Sequence, residues 1–256
     1  MKTVLCCNDS LIGIFSALYD AWKLHLQGEV CTILIKGETN QELFCDYQEV
    51  IESSKKVRAI ENMVKKNLGY LAFYDIYYAA HSFDQEKGNA IFSTLKAASK
   101  LKDSRKIMDH LSCEAVQKVF SLSKNVGNEA HSLIEFLRFR ELNNQVLFAT
   151  ITPKNQVLTR IAPHFAERFP EENWLIYDQN HHLFALHEAK TDWRLLAETD
   201  MNDKALTNFS WEEEKYSQLW KEFTKTITIK ERENKRCQRG HLPLKYRSHM
   251  TEFDSP

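Results

Sequence analysis

Apolar and polar positions recur along this chain with periods that predict most of its elements. Lys2 to Cys7 is a short β-branched and apolar run ending in Asn8, Asp9 and Ser10, which are turn and helix-cap residues, so a strand leading into a helix is expected. Leu11, Phe15, Leu18 and Trp22 follow at spacings of four and three, which predicts a helix from about Leu11 to His25, closed by Gly28. Cys31 to Ile35 reads as a second strand, with Gly37, Thr39 and Asn40 as the turn beyond it. From about 53 to 132 the period is helical. Ser53 or Ser54 caps a helix that buries Val57, Ile60, Val64 and Leu68, and Gly69 stops it. Tyr70 to His81 is apolar and aromatic on all sides, which predicts a central, mostly buried helix. Glu86 to Lys100 reads as a third helix burying Ile91, Leu95 and Ala98, with shorter ones over Ser104 to Leu111 and Cys113 to Ser132.

The period then changes. Phe136 to Leu142 and Val146 to Ile151 flank Asn143-Asn144, a dipeptide that tolerates the left-handed backbone of a hairpin turn. Trp174 to Tyr177 and Leu183 to His187 flank a second turn at Asp178, Gln179 and Asn180. Between them Leu158, Ile161 and Phe165 share a helical face, in which Pro163 should introduce a kink or a new start. The expected fold is therefore α+β: an antiparallel sheet built from two hairpins around a helix, plus a helical region and a basic C-terminal segment. Ser210 and Glu213 form a capping box before a last helix in which Tyr216, Trp220, Phe223 and Ile227 share a face. Residues 1–228 are read as a single α+β domain, with a sheet subregion at about 133–190, and 229–256 as a basic segment packed on its surface.

Composition supports a folded chain. With 43% apolar and 27% charged residues, and only 7 Gly and 5 Pro, the 256 residues leave little room for low-complexity sequence. A chain of this length buries roughly 70 to 75% of its unfolded surface, so a core needs no disulfide or metal. Cys6, Cys7, Cys31, Cys45, Cys113 and Cys237 show no CxxC pair or His-flanked cluster, which fits free thiols in a reducing compartment. No segment reads as a signal peptide or a membrane span, so a cytoplasmic location is expected.

The net charge of −1 hides an asymmetry. Residues 1–224 carry 26 Lys and Arg against 31 Asp and Glu, whereas 225–256 carry 8 against 4. Positive charge gathered at one end is the pattern that suits phosphate binding.

Several constellations could carry chemistry. Arg138 and Arg140 lie two apart on the expected strand beside Phe136, so an aromatic and two guanidinium groups would share one face. That suits a nucleic-acid strand, and it equally suits a solvent-facing sheet edge. Arg160, His164 and Arg168 form a row at one-turn spacing, able to face phosphate, to supply His164 as a base, or simply to pack beside the sheet. Asp178 at a hairpin mouth near Trp174 and Tyr177 is a candidate acid or base, or a turn former. His181, His182 and His187 lack the spacing and companions of a metal site. No GxSxG elbow, Walker loop, GxGxxG turn or HExxH helix occurs, and nothing calls for a cofactor. The richest signal runs from Ile229 to Pro243, where Arg232, Asn234, Arg236, Gln238, Arg239 and His241 offer donors to phosphate oxygens or base edges.

Three blocks together carry a resemblance: His131 with Phe136-Leu137-Arg138-Phe139, then Ala162-Pro163-His164-Phe165-Ala166-Glu167-Arg168-Phe169-Pro170, then the run from Ile229 to Arg247. Asp9-Ser10 with Gly13 adds a weaker echo. In these the chain resembles a largely uncharacterised bacterial family of DNA-repair or DNA-metabolism proteins. That family is commonly encoded beside a radical S-adenosylmethionine protein, and relatives form the N-terminal part of chains ending in a uracil-DNA-glycosylase-like domain. The resemblance implies a part in DNA repair or DNA metabolism with a radical S-adenosylmethionine partner, and the basic strip points to nucleic acid as the ligand. Two other roles stay open: an enzyme acting on a damaged or modified base with His164 or Asp178 as acid or base, and a protein-protein adaptor without its own catalysis.

Overall fold

A computed structural model of the protein describes residues 2–37, 43–198 and 209–253. The chain divides into two compact units, Met1–Gly127 and Asn128–Pro256.

In the first unit β1 (Lys2–Cys7) leads into helix α1 (Leu11–Leu26) and strand β2 (Cys31–Ile35), and β3 (Cys45–Glu49) follows. The three strands form a parallel sheet in the order β2-β1-β3. This corrects the expectation of an antiparallel sheet, and the reason is local. A whole helix separates β1 from β2, so the chain comes back in the same direction. The expected turn residues Thr39 and Asn40 lie outside the described residues. The step from β1 into α1 is tight: Ser10 Oγ accepts from Gly13 N at 2.9 Å, and a Cβ on Gly13 would stand 2.5 Å from the Asn8 carbonyl oxygen. Only glycine fits there.

Helices α2 (Ser54–Asn67), α3 (Tyr70–Ala80) and α4 (Lys87–Ser99), a short 3₁₀ turn at Ser104–Asp109 and the first part of α5 (Glu114–Phe136) complete this unit. Gly69 at φ 90° ends α2 and starts α3, a backbone angle that other residues resist. Leu5, Cys7, Ile33 and Ile35 alternate onto one sheet face and join Ile14, Phe15, Leu18, Ile76 and Ile91 in one buried cluster. Each large side chain among them contributes about 1.5 to 3 kcal/mol. Helix α3 is not buried on all sides as expected. Ala72, Phe73, Ile76, Ala79 and Ala80 face the core, while Tyr70, Leu71 and Tyr74 are exposed. Its small alanines allow close packing on one side, and the outer rings cover each other, Tyr74 stacking near Tyr78 at 6.3 Å.

In the second unit a five-stranded sheet runs β4 (Arg140–Glu141), β5 (Leu147–Ile151), β6 (Trp174–Asp178), β7 (Leu183–His187) and β8 (Arg194–Ala197), in that spatial order. The two expected turns do reverse the chain, since β4 and β5 pair antiparallel and so do β6 and β7. The central pair β5·β6 is parallel, because helix α6 (Leu158–Arg168) crosses over between them. The sheet is mixed rather than antiparallel throughout. Phe136 is not in a strand either: it is the last residue of α5, and only Arg140 and Glu141 pair with β5. Helix α6 runs unbroken through Pro163, although that residue removes one intrahelical bond. Burial of Leu158, Ile161, Ala162 and Phe165 offsets the roughly 3 kcal/mol that such a proline costs.

Helix α7 (Trp211–Ile227) starts where expected, with Ser210 Oγ accepting from Glu213 N at 3.1 Å. The reciprocal half of the box is replaced. Glu213 accepts from the Glu141 backbone N at 3.1 Å, so the helix start is tied to the edge strand β4. No residue of α7 is buried, and the apolar row Tyr216, Trp220, Phe223 and Ile227 is exposed.

Candidate nucleic-acid interface

The C-terminal run folds into helix α8 (Lys235–His241), flanked by 3₁₀ turns at Lys230–Arg232 and Leu244–His249. Asn234 caps α8, its Oδ1 accepting from Cys237 N at 3.0 Å. Seven residues are too few for a helix to persist by itself in water, so contacts outside it must hold it. The Arg247 guanidinium supplies one, donating from Nε and Nη2 to the Leu242 carbonyl at 3.2 and 3.0 Å. The Tyr246 ring packs on Phe136 at 5.3 Å, and Met250 is 1% exposed. With its ends anchored, α8 presents Lys235, Arg236, Gln238, Arg239 and His241 to solvent, and Arg232 is exposed just before it. Among the described residues none of Arg232, Lys235, Arg236 and Arg239 has an ion-pair partner.

The anchor chemistry centres on Glu129 of α5. This carboxylate is 6% exposed and accepts from Lys154 N at 3.1 Å, from Asn155 N at 2.9 Å, from Asn155 Nδ2 at 2.6 Å and from Lys245 Nζ at 3.3 Å. Burial works to raise its pKa, but the Asn155 and Lys154 amides and the Lys245 charge outweigh it and hold the group below the usual carboxylate value. Burial also pulls Lys245 down, and Tyr246 with Glu129 more than reverses that, so its pKa is raised. Lys245, Tyr246 and His249 line a small pocket with Arg138, Thr150 and Thr152. Arg138 holds its place through the Glu135 and Leu137 carbonyls and through Glu252 Oε1 at 3.5 Å. His249 Nε2 lies 3.4 Å from Thr152 Oγ1. Three basic side chains and three hydroxyls thus meet at the ends of α5, β5 and the basic segment.

Arg138 is the one residue outside the C-terminal run, among those expected to bind, that lines this pocket. Arg138 and Arg140 do not share a strand face with Phe136, because α5 extends to Phe136 and β4 begins only at Arg140. Arg140 lies over the Phe209 ring at 3.7 Å, with its Nε 3.6 Å from Glu213 Oε1. Its charge is spent on joining β4 to the start of α7. On α6 the row holds as a row, with Arg160 half-buried and His164 and Arg168 exposed. His164 packs edge-on to Phe165 at 5.2 Å, and the Arg168 guanidinium stands 5.7 Å from the Phe169 ring.

Asp178 is fully buried, and its turn role accounts for its contacts. Oδ1 accepts from Asn180 N at 3.1 Å and from His181 N at 3.2 Å. Oδ2 lies 2.7 Å from Nδ1 of half-buried His181, so the carboxylate fixes the orientation of the ring and turns Nε2 away from itself. The sequence reading singled out Asp178 and missed its partner, although an Asp followed three residues later by His in a hairpin turn is a legible signal. His187 belongs to the core, stacked on Trp174 at 5.0 Å with Nδ1 2.9 Å from the Glu172 carbonyl.

The first unit holds a polar cluster that no sequence signal announced. Lys87 is 1% exposed, with Nζ 2.6 Å from Asp9 Oδ1 and hydrogen-bonded to the Ser82 carbonyl. Asp9 lies just past β1, at the carboxyl end of the parallel sheet, next to Asn8, whose Nδ2 donates to Glu52 at 2.9 Å. Cys7 beside them is pushed up to about 12 by burial and by the Asp9 charge. This ion pair ties the start of α4 to the β1–α1 turn.

No helix among the described residues is long and apolar enough to cross a membrane. No curated protein matches the chain. The family model described as a domain of unknown function, DUF4130, matches residues 85–252, well over half of the chain and the span that contains α8, the Glu129 anchor and the Asp178–His181 pair, and the chain belongs to that family.

Proposed function

We propose that this protein takes part in DNA repair or DNA metabolism and binds nucleic acid through α8 and the adjoining Arg138, Lys245 and His249 pocket. The observation that carries the reading is the set of exposed cations Arg232, Lys235, Arg236 and Arg239 without acidic partners among the described residues, on a segment that is anchored rather than trailing. Unpaired charge held in place suits a polyanion, because neutralising phosphates releases counterions at little ordering cost. The process, the radical S-adenosylmethionine partner and the kinship with uracil-DNA-glycosylase fusions rest on the blocks at Phe136 to Phe139, Ala162 to Pro170 and Ile229 to Arg247. Fluorescence anisotropy with labelled single- and double-stranded oligonucleotides tests the binding. The triple substitution Lys235→Ala, Arg236→Ala, Arg239→Ala leaves Met250 and Tyr246 in place and should weaken affinity about tenfold or more. Equal affinity for the triple variant would remove α8 from the account.

One observation favours a second reading, an enzyme acting on a damaged or modified base. The buried Asp178 orients His181 so that Nε2 can take a proton, which is the arrangement of a general base and its positioning carboxylate. On that reading His181, rather than His164 or Asp178, does the proton transfer. Turnover on lesion-bearing oligonucleotides that disappears in His181→Ala would support it, and turnover unchanged in that variant would refute it.

A further inference from the structure

Helix α7 turns its apolar side to solvent. It packs beside Thr251–Phe253, and its half-buried positions are the polar residues Glu213, Ser217, Lys221 and Thr224. The row Tyr216, Trp220, Phe223 and Ile227 is between 44% and 68% exposed, and Leu219 beside it is exposed as well. Among the described residues this leaves roughly 500 Å² of apolar side chain uncovered on one chain, since each aromatic ring carries about 150 to 250 Å². Two such faces together reach the roughly 1,000 Å² that a specific interface needs.

The row is also its own reverse, because its spacings are four, three and four. These are the spacings of the seam between two paired helices, and the pattern reads the same from either end. At its middle the Trp220 and Phe223 rings already lie stacked, with 5.8 Å between centroids and 29° between planes, so two nearly parallel rings are presented together. Charge decides which occupant fits. The positions flanking the row are Ser217 and Thr224 on one side and Leu219 and Thr226 on the other, so an identical helix would meet no like charge there. The acidic residues Glu212, Glu213 and Glu214 crowd the first turn, whereas Lys225 stands in the last. Two copies side by side in the same direction would bring the acidic turns together; reversed, each acidic turn lies towards the other's basic end and the helix dipoles oppose. The same three carboxylates disfavour an anionic membrane surface.

We propose that α7 is the contact surface for a second copy of this chain, the two helices pairing antiparallel about a twofold axis midway between Trp220 and Phe223. Such an interface is isologous: residue i meets j and j meets i. Trp220 of each copy packs on Phe223 of the other, and Tyr216 on Ile227. Along one flank Leu219 of each copy faces Thr226 of the other, as the antiparallel register requires.

Sedimentation equilibrium of the full chain over a wide concentration range tests this. The wild type should show a monomer–dimer equilibrium. Trp220→Glu should weaken it about a hundredfold or more, because the charge falls at the centre of the interface. The register is tested on the flank. Leu219→Lys with Thr226→Lys sets two like-charge pairs across the axis and should weaken pairing about tenfold relative to Leu219→Lys with Thr226→Glu, which sets two opposite ones. All these positions are exposed in the single chain, so thermal melts at a concentration where every variant is monomeric should coincide and separate loss of pairing from loss of fold. A chain that stays monomeric at every concentration, a dimer indifferent to Trp220→Glu, or equal pairing in the two flank variants would each overturn the proposal. So would a monomer that cosediments with phosphatidylcholine vesicles and loses this in Trp220→Glu, since a lipid surface would then be the occupant.

Discussion

Lys245 lies 3.3 Å from the carboxylate of Glu129, 116 residues away in sequence, and this bond ties the basic C-terminal segment to helix α5. Glu129 does more than pair one charge, because three further donors from the loop after β5 converge on it. The same carboxylate therefore shapes the start of α6 and fixes the base of the proposed interface.

Replacing Glu129 by Ala should cost about 3 kcal/mol or more, since it leaves buried donors and the Lys245 charge without an acceptor. Urea denaturation at neutral pH measures it. Glu129→Gln should cost less, because one acceptor oxygen survives.

The pKa of Glu129 is lowered in the folded protein, so its contribution to stability is complete above the unfolded value near 4.5 and is lost as pH falls through the folded value. Wild-type stability should fall with acidification below that point, and Glu129→Gln should show a shallower fall. Chemical denaturation across pH 3 to 7, compared between the two, reads out the difference.

Lys87→Met should destabilise the first unit by about 1 to 2 kcal/mol, because it removes the ammonium that joins the half-exposed Asp9 carboxylate to the Ser82 carbonyl at the β1–α1 turn. The double variant with Asp9→Asn should recover part of the loss. A double-mutant cycle on unfolding free energies gives the coupling directly.

Thiol labelling should separate the cysteines. Cys237 is exposed on α8 and should react first, whereas Cys7 is 1% exposed with its pKa pushed up to about 12, and should react only on unfolding. Timed alkylation followed by peptide mass spectrometry reports the order.

Strong periodicity and definite caps made much of the fold legible. The strand at Lys2–Cys7, the helix after Ser10 and the strand at Cys31–Ile35 each combine an apolar pattern with a cap or turn, and each forms close to where it was read. Strand β3 was not legible because Cys45–Glu49 reads Cys-Asp-Tyr-Gln-Glu and buries none of its side chains, so its pairing with β1 leaves no hydrophobic trace. Strand β8 is similarly exposed. Leu137-Arg138-Phe139-Arg140 imitated a strand by alternation, yet α5 reaches Phe136, because the Phe136 ring finds the Tyr246 ring. The row on α7 was legible as one face of a helix, and that face is exposed.

For the site, the charge run from Ile229 showed where the cations lie but not which are committed. Arg140, outside that run, is bound to Glu213 and Phe209, while among the described residues Arg236 and Arg239 have no ion-pair partner. Lys245 looked like an ordinary member of the run, and His249 lies two residues beyond its end. Their convergence with Arg138 depends on Glu129 and Glu252, which no local pattern connects to them.

The salt dependence of oligonucleotide binding tests the central claim most directly. If Lys235, Arg236 and Arg239 each neutralise a phosphate, the slope of log affinity against log salt should fall in magnitude by about 0.7 to 0.9 for each residue replaced by Ala. A slope identical in the wild type and the triple variant would contradict the account.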